Sequence, residues 1–195
     1  MKTLQWLVSQ VRTECSNHHF AHHEWFWKYH LLPFERLVEK YGPKYGANMN
    51  VLRFNVYLHD IAKIREHRLE GKLTNHAEKG AEITHHLLDE NDFGLTREEK
   101  ELIVLCVRNH ISNKGESIEE KLIASLDALS HFKTPFYFIW WKENPNKTIE
   151  ELCKDNAKKA EMDWKKITIP EIRESARLHY EELMSVVKRA FHDLN

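Results

Sequence analysis

Apolar residues recur along this chain at three- and four-residue spacing and almost nowhere in alternation. That is the pattern of α-helices laid against a core, not of half-buried strands. Leu102, Ile103, Leu105 and Cys106 show it, as do Leu122, Ile123, Leu126 and Leu129, and Ile149 with Leu152. Each run follows a Ser/Thr-x-x-Glu sequence in which hydroxyl and carboxylate each accept a backbone N–H of the other residue: Thr96 with Glu99, Ser117 with Glu120, Thr148 with Glu151. A last helix is predicted from about Pro170 to Phe191, with Pro170 in the first turn and Ile172, Ala176, Leu183, Val186, Val187 and Ala190 along one side. Towards the N-terminus the pattern predicts helices over Leu4–Cys15, over Trp25–Tyr41 with a start or kink at Pro33, over Asn48–Ile64 and over Thr74–Glu90. No internal repeat, low-complexity tract or linker interrupts them. The expectation is an all-α, single-domain bundle of about seven to nine helices spanning residues 1–195.

The composition narrows the partners. Lys and Arg number 29 against 30 Asp and Glu, a formal net charge of −1, which lacks the basic footprint of a dedicated nucleic-acid binder. Cys15, Cys106 and Cys153 are too few and too far apart for a disulfide framework or a thiolate zinc site, so a reducing cytoplasm is the expected compartment. The first residues carry no signal-peptide run, and no stretch approaches the roughly 18 apolar residues of a membrane span. The unusual number is 14 histidines.

Polar groups set into the apolar faces carry the candidate chemistry. His59 lies three residues after Val56 and seven after Leu52, and Asp60 lies four after Val56, so both point towards the core. A buried carboxylate costs several kcal/mol unless a positive charge compensates it. No Lys or Arg on that helix is spaced to do so from the buried side, whereas a metal ion would. His110 follows Ile103 by seven and Cys106 by four; Asp127 follows Ile123 by four; His76 opens a further amphipathic helix whose Gly80 and Ala81 admit a close neighbour; His30 precedes Pro33 and Phe34. Six imidazole and carboxylate groups from five helices suit a six-coordinate first-row transition ion, or a pair of ions bridged by Asp60. A single buried histidine is more often a hydrogen-bonded core residue; the ordered set reverses that reading.

Leu58-His59-Asp60-Ile61-Ala62-Lys63 resembles the signature of the HD-domain metal-dependent phosphohydrolases, a His, then a His-Asp doublet, then a distal Asp. His30, His76-Ala77-Glu78-Lys79-Gly80-Ala81, Val107-Arg108-Asn109-His110 and Ser125-Leu126-Asp127-Ala128-Leu129 are similar to the remaining motifs in order, covering about residues 20–131. Ala62 departs from a common Gly and Pro33 from a common Arg. The lack of a Gly-Tyr-Pro motif after His110 argues against the cyclic-di-GMP branch. The resemblance implies that His30, His59, Asp60 and Asp127 hold a first metal, and that His76 and His110 hold a second or contact substrate. His30 is preferred to His23 as the first ligand, although His18, His19 and His22 crowd the same segment. The implied ions are Mn, Fe, Co, Ni or Zn, with Mg also admitted, one or two per chain.

By the same resemblance the reaction is hydrolysis of a phosphate ester or anhydride of a small metabolite, most plausibly a nucleotide, by a metal-activated water. Asp60 and Lys63 are the candidate catalytic residues, Lys63 as a phosphate contact or else a solvated helix-end lysine; Arg36, Arg65 and Arg108 are further candidates for that contact. Two other readings use the same ligands: an HD-fold diiron oxygenase of a small organic substrate, and a non-catalytic nucleotide sensor. The aromatic runs Trp25–Trp27 and Phe136–Trp141 are read as core or as a homodimer interface, not as base-stacking platforms. His85, His86, His131, His179 and His192 are read as surface or helix-end residues, and Lys154–Lys166 as a solvated helix face. Residues 132–195 are expected to pack over the motif region and to pair subunits.

Overall fold

The computed structural model describes residues 1–17, 23–65 and 75–192, without the side chains of residues 23, 24, 140, 143 and 190–192. The chain runs α1 (Leu4–Cys15), α2 (His23–Phe26), a π-helical turn (Trp27–Leu31), α3 (Leu32–Tyr41), a 3-10 turn (Gly42–Tyr45), α4 (Met49–Leu58), α5 (Ile61–Arg65), α6 (His76–Glu90), α7 (Arg97–Asn109), α8 (Ile118–Phe132), α9 (Phe136–Glu143), α10 (Ile149–Lys166) and α11 (Pro170–His192). No strand occurs among the described residues. The predicted Thr74 start of α6, His18, His19, His22, and the side chains of His23, Ala190 and His192 lie outside them.

All three predicted capping boxes form, with both reciprocal hydrogen bonds made at Thr96/Glu99, Ser117/Glu120 and Thr148/Glu151. Two other boundaries bear on the site, the first as expected and the second not. Pro33 lies in the first turn of α3, where a start or kink was expected. The chain passes through it with one widened turn, in which the Leu32 N–H reaches the Trp27 carbonyl. That turn relieves the clash a proline ring makes with the carbonyl four residues earlier, and His30 lies inside it.

The Asn48–Ile64 helix is two helices, broken at His59 and Asp60. In a continuous helix two consecutive side chains diverge by roughly 100°. The break turns both inward: His59 is fully buried and Asp60 nearly so. The backbone stays satisfied, His59 N–H donating to the Asn55 carbonyl and the Lys63 and Ile64 N–H groups to that of Asp60.

Helix α8 is the axis of the core. Every residue from Leu122 to Phe132 is buried, and the helix packs against α3, α4, α7, α9, α10 and α11. Such all-round burial forces any polar side chain on α8 to find a partner inside the protein. Helices α6 and α7 form an antiparallel pair, brought close at Gly80, where a Cβ would stand 3.1 Å from Val107 Cγ1 and 3.6 Å from the His59 carbonyl oxygen. Helices α10 and α11 pack on each other and on α8. On α11 the buried side is Ile172, Ala176, Met184 and Val187; Val186, predicted to line it, is exposed, as is Leu105 on α7.

Candidate metal centre

The π turn, the α4–α5 break, the first residue of α6, the C-terminal cap of α7 and the middle of α8 converge, bringing together all six side chains singled out from the sequence. They form two groups, His30, His59 and Asp127 in one, Asp60, His76 and His110 in the other, able to hold metal ions. In the first, His30 Nε2 lies 3.0 Å from His59 Nε2, and Asp127 Oδ1 is 3.6 Å and 3.7 Å from these two nitrogens. In the second, Asp60 Oδ1 is 3.5 Å from His76 Nε2 and 3.4 Å from His110 Nε2. Asp60 joins the groups, because its other oxygen, Oδ2, faces His30 and His59 at 3.8 Å and 3.7 Å. All six are buried except His76, whose side chain is 20% exposed.

The imidazoles are aimed from behind. His59 Nδ1 donates to the Asn55 and Val56 carbonyls, and His110 Nδ1 to the Val107 carbonyl at 2.6 Å. The Ser130 hydroxyl donates to the Asp127 carbonyl at 2.7 Å, leaving its oxygen to accept from His30 Nδ1 at 3.2 Å. With each Nδ1 carrying its ring's proton, a neutral imidazole presents a bare Nε2 lone pair to the centre. Burial first of all, reinforced by the neighbouring imidazole of His131, holds His30 well below the usual histidine value. Burial lowers His59 to about 4 and His76 to about 3, with the Lys63 ammonium also opposing protonation of His76.

Two lone pairs at 3.0 Å repel unless a cation lies between them. Asp60 Oδ1 and His76 Nε2 are likewise buried and make no hydrogen bond among the described residues. Inward nitrogens, shared carboxylates and unsatisfied donor atoms are what a divalent transition ion requires, so the residues fit the group.

The charge argument made from the sequence needs correction. Both carboxylates do have ammonium partners, one from the far end of the predicted Asn48–Ile64 helix, beyond its break, and one from α10. Lys63, carried past the break onto α5, pairs with Asp60 Oδ2 at 2.8 Å. Lys166, at the end of α10, pairs with Asp127 Oδ2. Burial opposes ionisation of Asp60 and Asp127, yet Lys63 and Lys166 respectively hold both carboxyls well below the usual range. It is the orphaned lone pairs, rather than bare negative charge, that call for a metal.

Two further residues were misread as surface. His131 lies in the last turn of α8 but is buried; its Nδ1 donates to Asp163 Oδ2 at 3.0 Å and its Nε2 stands 3.5 Å from Asp127 Oδ1. Phe136 of the aromatic run stacks on it with ring centroids 3.8 Å apart. Lys166 is buried, so the Lys154–Lys166 segment is not a solvated face along its whole length. The other candidates lie apart: Arg65 pairs with Glu14, Arg108 with Glu78, Arg36 is exposed, His85 and His86 are exposed, and His179 is half-buried.

No helix among the described residues is long and apolar enough to cross a membrane. Neither a curated protein nor a solved structure gives a significant match. A family model described as the HD domain matches residues 28–131, more than half of the chain. That stretch opens two residues before His30, closes at His131 and takes in all six converging side chains, and on this match the chain belongs to the HD-domain family.

Proposed function

We propose that the protein is a metal-dependent phosphohydrolase of a small phosphorylated metabolite, a nucleotide in the first instance, using one or two transition ions. The observation that carries this reading is the Asp60 carboxylate, whose two oxygens face two separate imidazole pairs about 3.4–3.8 Å away. A carboxylate shared in this way suits paired ions acting on one phosphoryl group. His30, His59, Asp60 and Asp127 would hold one ion, and Asp60, His76 and His110 the other. Divalent ions held there supply an acidified water and polarise the phosphoryl oxygens.

The chain's own residues do the rest. The anchored Nδ1 atoms of His30, His59 and His110 fix their Nε2 atoms in place, so little reorganisation is needed as charge develops. Burial of the ligands restricts bulk water. Lys63, about one-third exposed while its Nζ holds Asp60, marks the open side and offers an ammonium to the phosphate.

The test is hydrolysis of a broad panel of nucleotides and phosphate esters under anaerobic conditions by protein loaded with manganese, cobalt or magnesium. Phosphate release is the expected result. No release from any compound, with tight nucleotide binding, would replace this reading by a sensor. Substrate-dependent oxygen uptake by a two-iron form would replace it by an oxygenase.

A further inference from the structure

Helix α9 carries an unbroken run of aromatic and aliphatic residues, Phe136 to Trp141, yet it packs mainly on one neighbour, α8. One side of it belongs to the core. Tyr137 is buried with its hydroxyl donating to Asp163, and Phe136 stacks on His131. The other side meets solvent: Phe138 is 55% exposed, and the ring of the half-buried Trp141 stands edge-on to it at 5.9 Å between centroids. Three residues apart, these two share a face of the helix, and Lys142, four after Phe138, joins it. The aromatic run is therefore core on one side only, and an exposed aromatic patch on a folded chain marks a surface that is covered by something.

Charge decides between the occupants. Residues 133–142 include Lys133 and Lys142, both exposed, and no acid. The next residue is acidic, but position 143 follows Phe138 by five and so falls roughly 140° round the helix from it. A second copy of this chain docked through the same face would set its own lysines against these two, like charge on like, with no carboxylate in the face to separate them. An anionic surface meets both with opposite charge. Phenylalanine and tryptophan beside exposed lysines, on a helix too short to span a bilayer, suit the headgroup layer of a membrane: the rings enter the acyl boundary while the ammonium groups stay among the phosphates.

We propose that the face of α9 formed by Phe138, Trp141 and Lys142, with Lys133 just before the helix, docks this protein on an anionic lipid surface. The face lies outside the residues matched by the family and does not depend on what the metal centre holds.

The probes are vesicles of phosphatidylcholine alone and of equal parts phosphatidylcholine and phosphatidylserine, each sedimented with the full chain. The chain should partition onto the mixed vesicles about 10-fold or more tightly than onto the neutral ones. Phe138→Ser should weaken binding to the mixed vesicles by about 10-fold, and Lys142→Glu by a similar factor. Both positions are exposed, so the urea midpoint of each variant should stay that of the native chain. No binding to the mixed vesicles, equal binding to the two kinds, or undiminished binding by the Phe138→Ser variant overturns the proposal. So does a native dimer in analytical ultracentrifugation that Phe138→Ser converts to a monomer, because the face then belongs to a second copy of the chain.

Discussion

The same amide substitution at the two metal-facing aspartates should have opposite consequences for the metal-free protein. Asp127→Asn removes the partner of Lys166, whose side chain is only 9% exposed and whose next carboxylate, Asp163, is 3.8 Å away. That ammonium has no route to water. Breaking a buried pair in this way costs about 3–5 kcal/mol, and at roughly 2–4 °C per kcal/mol for a domain of this size the melting temperature should drop by about 10 °C. Asp60→Asn instead frees Lys63, whose side chain is 34% exposed and can turn to solvent. The loss there should stay within about 1 kcal/mol, as for exposed ion pairs. Guanidinium unfolding in the presence of a chelator measures both. Equal losses, or a larger one for Asp60→Asn, would refute the assignment of one enclosed and one open lysine.

Three other outcomes follow from the geometry. Burial depresses His30, His59, His76 and His131, with His59 brought to about 4, whereas the unfolded chain takes up protons near 6.5. The unfolded state therefore binds more protons in between, so stability should be full above about pH 6.5 and fall as pH drops towards 4; a flat melting profile over that window would contradict the neutral-imidazole centre. Lys63→Met should lower kcat/KM for a phosphate ester by about 10- to 100-fold while leaving the far-ultraviolet dichroism unchanged, and full activity would remove Lys63 from phosphate binding. Gly80→Leu, placed against Val107 and the His59 carbonyl, should destabilise the chain by about 1–3 kcal/mol in denaturant titration; no change would mean that α6 and α7 are not held at that distance.

Much of this arrangement could be read from residue spacing, and the exceptions have two causes. Capping boxes are local chemistry, so Thr96, Ser117 and Thr148 marked their helices from the sequence. The six inward groups stood out as polar residues on apolar stripes. What spacing cannot carry is a change of helical geometry: the widened turn at His30 and the break at His59 and Asp60 shift the register on which the stripe rests. Lys63 was judged as part of one continuous helix and so was not assigned to Asp60. Lys159, Asp163 and Lys166 were averaged into a charged face, although the buried stripe of α10 runs Leu152, Asn156, Ala160, Asp163 and Lys166, continuing an apolar register into polar residues. His131 carried a similar signal, four residues after Asp127 on a helix whose Leu122–Leu129 stretch is largely apolar. Lys166 and His131 were hidden because their partners, Asp127 and Asp163 respectively, lie on elements distant in sequence.

The central claim is that six side chains from separate helices meet around transition ions. Elemental analysis of the purified chain, after reconstitution with Mn²⁺ and exhaustive dialysis, tests it most directly, with Asp60→Ala treated in parallel. One to two ions per native chain, and loss of retention in the variant while its helices persist, is the predicted result. A native chain that retains no ion, or a variant that retains as many as the native protein, would contradict it.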